Sequence, residues 1–308
     1  MIVKWFFCIA MLLIALPGGA VQTPANLVDP FVGTMGDHGQ LSPAAVAPYG
    51  MVQLGPDTDQ PNHAGYDYVA TRLLGLSHTR AVGVGCGGAG GDQRVSLNYA
   101  ETPDRVIIDK SGERARAGYY RVPYGDGLIA EATATRGAGV LRFTVPRGGQ
   151  VRLRIDPRPA YAKRISMQWH SDRTDDLRAT LEAGTVCDVG AYTLHTASVV
   201  LLQGEPVGGA VALDDSGVAS VDLDVQAGNT IEVRTGVSSV DSKAAARVRR
   251  VELAERSFGE IAAATFSNWE SELERIAIDA PEEQRALFYT SLFRVMQTPV
   301  AIADPDGK

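Results

Sequence analysis

Val151-Arg152-Leu153-Arg154-Ile155-Asp156 alternates apolar and charged residues at every step. A period of two puts Val151, Leu153 and Ile155 on one face of a strand and the charges on the other. Val221-Asp222-Leu223-Asp224-Val225 repeats the pattern. Between them in character is a run in which Leu128, Ala130, Ala132 and Ala134 face one way and Ile129, Glu131, Thr133 and Thr135 the other. Such strands belong to antiparallel sheet with one face in a core and one in water. Turn sequences separate the runs: Tyr124-Gly125-Asp126-Gly127, Pro146-Arg147-Gly148-Gly149, Asp214-Asp215-Ser216-Gly217 and Ala227-Gly228-Asn229. The 33 glycines of the chain suit many tight turns. Short strands joined this way predict a mostly β domain, an antiparallel sandwich, from Asn26 to about Thr235.

The period changes near Ser242. Lys243 to Glu255 is rich in Ala, Arg and Glu, which favour helix. Ile261, Thr265, Phe266, Trp269, Leu273 and Ile276 then recur at steps of three and four. A third helix opens at Pro281, with Glu282 and Glu283 complementing its dipole, and Pro299 ends it. Its apolar stripe is expected to include Phe288, Leu292 and Val295. These helices either fold back on the sandwich or lead into a further helical domain. In the second case the stripe lacks partners, and each uncovered large apolar side chain forfeits roughly 1.5–3 kcal/mol.

Lys4, the uncharged run Phe6 to Leu16, and Pro17-Gly18-Gly19-Ala20 read as a signal peptide over residues 1–20. The run is too short to span a bilayer, which takes roughly 20 residues. Cys8 lies early in the run, which argues against a lipoprotein. The expectation is an exported protein, periplasmic or extracellular, with no membrane partner after cleavage. The divisions are residues 1–20, the sandwich over 21–238, and the helices over 239–308.

Net charge is −7, and −8 once Lys4 leaves. With no basic tract, nucleic acid is excluded as a partner. Cys86 and Cys187 permit one disulfide in an oxidising compartment but form no disulfide framework or zinc motif. Gly83, Gly85 and Gly88 match a dinucleotide fingerprint in form only, because Ala89-Gly90-Gly91-Asp92 opens no helix. The glycine run is a flexible loop, or a loop pressed close to a ligand. The histidines His38, His63, His78, His170 and His195 show no metal-ligand spacing. Asp67 and Asp92 read first as loop caps. Phe31, Tyr49, His63, Tyr66, Tyr68 and His78 interleave aromatic and polar groups, a composition shared by sugar sites and by ordinary core.

The ordered string of motifs is more specific. Val28-Asp29-Pro30-Phe31-Val32-Gly33-Thr34 comes first, then the run from Ala47-Pro48-Tyr49-Gly50 to Gly55-Pro56-Asp57-Thr58. Gly65-Tyr66-Asp67-Tyr68 and Gly75-Leu76-Ser77-His78-Thr79 follow, then Gly85-Cys86, Gly91-Asp92 and Ala117-Gly118-Tyr119-Tyr120. Trp269, Glu283-Gln284-Arg285, Phe288-Tyr289-Thr290-Ser291-Leu292 and Asp304-Pro305-Asp306-Gly307 complete it. In order, these motifs resemble glycoside hydrolase family 92, the exo-acting α-mannosidases; the stretch from about Asp156 to Ser257 resembles it less.

The resemblance implies a supersandwich-type β domain, linker helices and an (α/α)6 barrel, before which this chain stops. It implies calcium-dependent, inverting hydrolysis of terminal α-mannosides of glycans, N-glycans among them. An acid and a base act from opposite faces of the sugar. It places those carboxylates and the calcium ligands in the barrel, so this chain alone is expected to be inactive and to bind no calcium. Mannose-containing glycans and the missing C-terminal helical domain are the implied partners. The loops implied to share the sugar pocket carry Phe31, Gly33, Tyr66, His78, Arg80, Cys86 and Asp92. Met35 and Arg80-Ala81-Val82 depart from the family pattern and leave substrate preference open. The alternative is a stand-alone carbohydrate-binding sandwich, or an inactive remnant.

Overall fold

The computed structural model describes residues 22–36, 41–59, 64–80, 82–83, 90–104, 106–158, 163–185, 189–298 and 303–304. Residues 1–20, read above as a signal peptide, Cys86, Cys187 and the centre of the glycine loop lie outside them. The strands are β1 (Ala45–Val46), β2 (Gln53–Thr58), β3 (Leu73–Ser77), β4 (Arg94–Tyr99), β5 (Arg114–Arg116), β6 (Tyr119–Tyr124), β7 (Leu128–Ala134) and β8 (Ala138–Thr144). They continue with β9 (Gly149–Asp156), β10 (Arg164–Arg173), β11 (Asp176–Gly184), β12 (Ala191–Leu202), β13 (Glu205–Pro206), β14 (Ala212–Leu213), β15 (Ala219–Val225) and β16 (Thr230–Ser238). A short 3-10 helix (Pro24–Leu27) precedes them, and α1 (Ser242–Leu253), α2 (Phe258–Leu273) and α3 (Glu282–Gln297) follow.

Two antiparallel sheets face each other. One runs β1-β2-β3-β4-β9-β15-β14, the other β10-β11-β12-β16-β8-β7-β6-β5, with β13 on β12. The alternating stretches do what their period requires. Val151, Leu153, Ile155 and Leu223 point inward to meet Val122, Leu141, Phe143, Val200 and Val233 of the other sheet. Arg152 stays outside and pairs across strands with Asp222 through two 2.7 Å hydrogen bonds.

The second sheet is covered on its outer face as well. There α1 lies on β16, β12 and β8, and Ala138, Gly139, Val140 and Leu141 are consecutively buried. The approach is close at Gly236: a Cβ there would lie 2.1 Å from the Ala245 carbonyl oxygen. Ala138 and Ala197 flank Gly236 in register on the neighbouring strands, so the helix sits on a row of small residues.

Local chemistry starts each helix. The Asp241 carboxylate accepts from the Ala244 amide at 2.6 Å. Ser257 and Glu260 form a capping box, satisfying amides that α2 itself leaves unpaired. Pro281 caps α3 from just outside, and Glu282 is its first residue.

The helices fold back. Trp269, Leu273, Tyr289, Phe293 and Met296 pack with Leu27 and Val28 of the N-terminal segment and with Val46 on the sheet edge. The expected stripe of α3 is therefore shifted. Tyr289, Phe293 and Met296 are the buried apolar set, Phe288 and Leu292 pack at its margin, and Val295 is 65% exposed. Adjacent residues lie 100° apart on a helix, so two apolar stripes run side by side. The surface of Trp269 and Val46 selects one of them. Among the described residues no helix is long and apolar enough to cross a membrane.

Candidate functional site

The residues singled out in the sequence form two groups joined through β2. The first gathers Phe31, Gly33 and Tyr66. Asp29, whose carboxylate accepts from the Phe31 amide at 2.9 Å, opens the turn that presents Phe31. Gly33 has φ +80°, a conformation that side chains other than glycine rarely adopt. The Tyr68 amide donates to the Thr34 carbonyl at 3.0 Å, tying this loop to the next. Asp67 is a loop cap, accepting from the Gly36 and Val69 amides. The Phe31 ring lies 5.6 Å from Tyr68, edge to face, and 6.5 Å from Tyr66.

Beneath them is a buried network. The Tyr66 and Tyr120 hydroxyls both donate to Glu113 Oε1, at 2.9 and 2.6 Å. Lys110 Nζ donates to Glu113 Oε2 at 2.9 Å and to the Tyr66 hydroxyl at 3.1 Å. Burial first, then the Glu113 charge, holds the Tyr66 phenol far above the usual tyrosine range. Lys110 also stands over the Tyr66 and Tyr68 rings, 4.9 and 5.4 Å from their centroids. Tyr66 is fully buried, whereas Tyr68 is 47% exposed. The surface of this group thus presents the Tyr68 and Phe31 rings edge to face, with the Lys110 ammonium over the Tyr68 ring.

The second group holds His78, Arg80 and Asp92 below the surface. Arg80 is paired with Asp57 and donates to the Pro56 carbonyl at 3.1 Å. Asp92 accepts from Thr79 Oγ1 at 2.6 Å and from the Tyr192 hydroxyl at 2.9 Å. His78 Nδ1 lies 2.8 Å from the Gln93 carbonyl and so donates to it, leaving Nε2 unprotonated, buried and without a described partner. Gln93 reaches this position with φ +53°. Asp57 and Thr58, neighbours on β2, serve one group each: Ser77 donates to Asp57, and the Asp67 amide donates to Thr58 Oγ1. Tyr192, on β12, and Lys110, in the turn before β5, carried no sequence signal, because the site residues they meet, Asp92 and Tyr66, lie 100 and 44 residues away in the chain. Cys86 lies outside the described residues.

Burial acts oppositely on the two titratable groups here. It pushes Asp92 up to about 6, against hydrogen bonds from Thr79 and Tyr192 and the Arg80 charge. It pushes His78 down to about 4, against the Gln93 hydrogen bond. Near pH 5 the folded chain holds one proton on Asp92 and none on His78. The unfolded chain holds one on His78 and none on Asp92, so the two contributions to the slope of stability with pH cancel. Single variants separate them. In Asp92→Asn, stability is expected to rise from pH 4 to 6.5, by up to about 1.4 kcal/mol per pH unit. In His78→Gln, stability falls as pH rises from 4 to 6, because the unfolded Asp92 ionises first. Urea titrations across this range test both; parallel slopes in the two variants would refute the assignment.

Other concave surfaces differ in chemistry. A cleft of about 720 Å³ between β12, β16 and the α1–α2 corner is lined by Glu205, Glu232, Glu255 and Glu260 with Arg234, Arg249 and Arg250, and by no aromatic ring. A groove of about 500 Å³ beside α2 contains Tyr119, Phe258 and Phe266. The Arg142 guanidinium covers Phe258 at 4.1 Å, and Arg116 lies over Tyr119 and Phe266. Among the described residues no three His, Cys, Asp or Glu side chains converge to hold a metal ion.

Residues 27–238 match the glycosyl hydrolase family 92 N-terminal domain, and residues 244–308 match the glycosyl hydrolase family 92 catalytic domain. The structure is similar to that of a family 92 α-mannosidase from Bacteroides thetaiotaomicron, with TM-score 0.78 and 25% identity, over 93% of this chain and 43% of that one. It is equally similar to the family 92 glycosyl hydrolase ccman5, with TM-score 0.78 and 28% identity, over 92% and 42%. The Bacteroides enzyme has also been solved in complex with mannoimidazole. An uncharacterized secreted glycosidase of Arthroderma benhamiae is 28% identical over 131 residues, which are 39% of this chain and 17% of the relative. The chain spans less than half the length of the solved structures it matches.

Proposed function

Because the chain belongs to glycosyl hydrolase family 92, we propose that its sandwich forms the sugar-contacting part of an exported exo-α-mannosidase. The carrying observation is the pair of Phe31 and Tyr68 rings at the surface with the Lys110 ammonium over Tyr68. A pyranose presents an apolar C–H face that stacks on an aromatic ring, and hydroxyls at its rim that take an ammonium donor. The tyrosine and glutamate network underneath fixes the pair, so less conformational freedom is lost on binding. His78, Arg80 and Asp92 lie below the surface and connect to it through Asp57 and Thr58 on β2.

The reaction proposed for the whole enzyme is inverting hydrolysis of terminal α-mannosides, N-glycans included. It takes a carboxylic acid at the leaving oxygen and a carboxylate base at a water on the opposite face. Within the described part of the sandwich, Glu113, Asp57 and Asp92 are committed to buried hydrogen bonds. Their neighbourhood offers sugar contact; the acid and base are assigned to the catalytic domain that residues 244–308 match. The calcium ion that the family resemblance implies is proposed for the catalytic domain, where the resemblance places its ligands, and the contact proposed here does not run through it. Export rests on the leader-like residues 1–20 and on the secreted glycosidase relative.

Titrating methyl α-mannoside into the 308-residue chain is expected to give saturable heat in the millimolar range. Tyr68→Ala is expected to weaken it about two- to ten-fold, on the scale of the roughly 0.5–1.5 kcal/mol that an aromatic contact contributes. Absence of saturable heat at 100-fold molar excess and high millimolar sugar would leave the sandwich as a scaffold and sink the contact role.

A further inference from the structure

Helix α3 presents three polar residues at helical spacing, Thr290, Arg294 and Gln297, toward loops and strand β2 more than 240 residues earlier in the chain. Thr290 Oγ1 accepts from the Asp29 amide at 3.0 Å. Arg294 donates through one terminal nitrogen to the carbonyls of Pro30 and Val32, the latter at 3.1 Å. Its other terminal nitrogen donates to the Ser42 carbonyl at 2.9 Å and to Gln297 Oε1 at 2.8 Å. Gln297 Nε2 in turn donates to Gln53 Oε1 on β2, Gln53 Nε2 donates to the Gln297 backbone carbonyl, and the Gln53 backbone amide donates to the His78 carbonyl. One guanidinium therefore ties the two ends of the loop that carries Phe31 and Gly33 to the strand that joins the two site groups.

We infer that Arg294 is a positioning residue. Its planar fork sets the Pro30–Val32 turn and Ser42 against α3, and thereby sets where Phe31 stands against Tyr68. The inference rests on the sugar-contact reading above for its functional meaning, and on geometry for the clamp itself. Three features support it. The acceptors are backbone carbonyls, so what the guanidinium reads is the path of the loop and not a side chain. A fork is required, because separate nitrogens must reach carbonyls on two segments, and a lysine ammonium lacks that fixed spread. The cation is retained although it forms no ion pair with a described carboxylate; burial lowers it to about 10, opposed only by the Asp29 charge.

The test compares the full chain with Arg294→Met and Arg294→Lys by amide hydrogen exchange and methyl α-mannoside titration. In Arg294→Met, exchange of the Val32 and Thr34 amides is expected to accelerate at least ten-fold, while amides of β7, β8 and β16 change less than two-fold. Arg294→Lys is expected to restore part of the protection. The loss of mannoside affinity in the two variants should follow the loss of loop protection. Unchanged loop exchange in Arg294→Met overturns the inference. An equal acceleration throughout the sandwich also overturns it, because the residue would then be a general stabiliser. The wild-type titration is read separately: if that chain binds no mannoside, the contact role proposed above fails, and the exchange data still decide the clamp.

Discussion

Trp269→Ala is expected to destabilise the folded chain by about 3–5 kcal/mol, the range for emptying a large buried aromatic site. Trp269 is 0% exposed and is the central member of the cluster that fastens α2 and α3 to the sandwich. Its ring lies 4.5 Å from Phe293, and its indole N–H donates to the Val46 carbonyl at 2.6 Å. Alanine removes the packing and the donor together. Trp269→Phe separates the two terms. It keeps much of the packing and leaves the Val46 carbonyl without this donor, at a cost of about 1–3 kcal/mol. Urea unfolding monitored by circular dichroism gives both values. A loss under about 1 kcal/mol for Trp269→Ala would mean that the helices do not depend on this contact for their attachment.

Gly236→Val is expected to cost about 3 kcal/mol or more and to loosen α1. The direct obstacle is backbone: the new Cβ meets the Ala245 carbonyl oxygen at 2.1 Å, the Arg249 nitrogen at 2.7 Å and the Arg249 Cβ at 2.8 Å. Backbone atoms cannot rotate away as a flexible side chain could. The helix must rise off the sheet, and overpacking of this kind typically costs 1–3 kcal/mol before lost burial is added. Lifting α1 also uncovers Ala245, Ala246 and Val248, now buried against Ala197, Ala138 and Val140. Gly236→Ala should show the same effect more weakly. Gly208→Ala is the control, since nothing lies within 4 Å of the position of its added Cβ. Its expected change is within about 0.5 kcal/mol. Thermal melting orders the three variants. Hydrogen exchange confined to α1 and β16 locates the damage, and a Gly236→Val protein as stable as wild type would show that α1 is not held at this distance.

Much of the architecture was legible without coordinates, because strand alternation and helix capping are local. β7 and β9 bury the faces that their period of two marked out, and β15 does so at Leu223 and Val225 while Val221 stays half-buried. α3 begins beside Pro281, as its sequence indicated, whereas the Asp241 and Ser257 caps of α1 and α2 emerged only with the structure. The family, too, was readable from motifs in order, from Val28-Asp29-Pro30-Phe31 to Asp304, since close packing and tight turns restrict residue identity at those places. Tertiary structure alone decided three things. It chose Tyr289, Phe293 and Met296 over the neighbouring stripe of Phe288, Leu292 and Val295, because a periodic pattern states that a face exists and not which surface it meets. It buried His78 and Asp92 and left Tyr68 open, because exposure depends on strands paired from distant parts of the chain. And it brought Arg294 to carbonyls 252 to 264 residues away. Carbonyl groups are chemically identical along the backbone, so no residue type in the sequence announces which of them a guanidinium will hold.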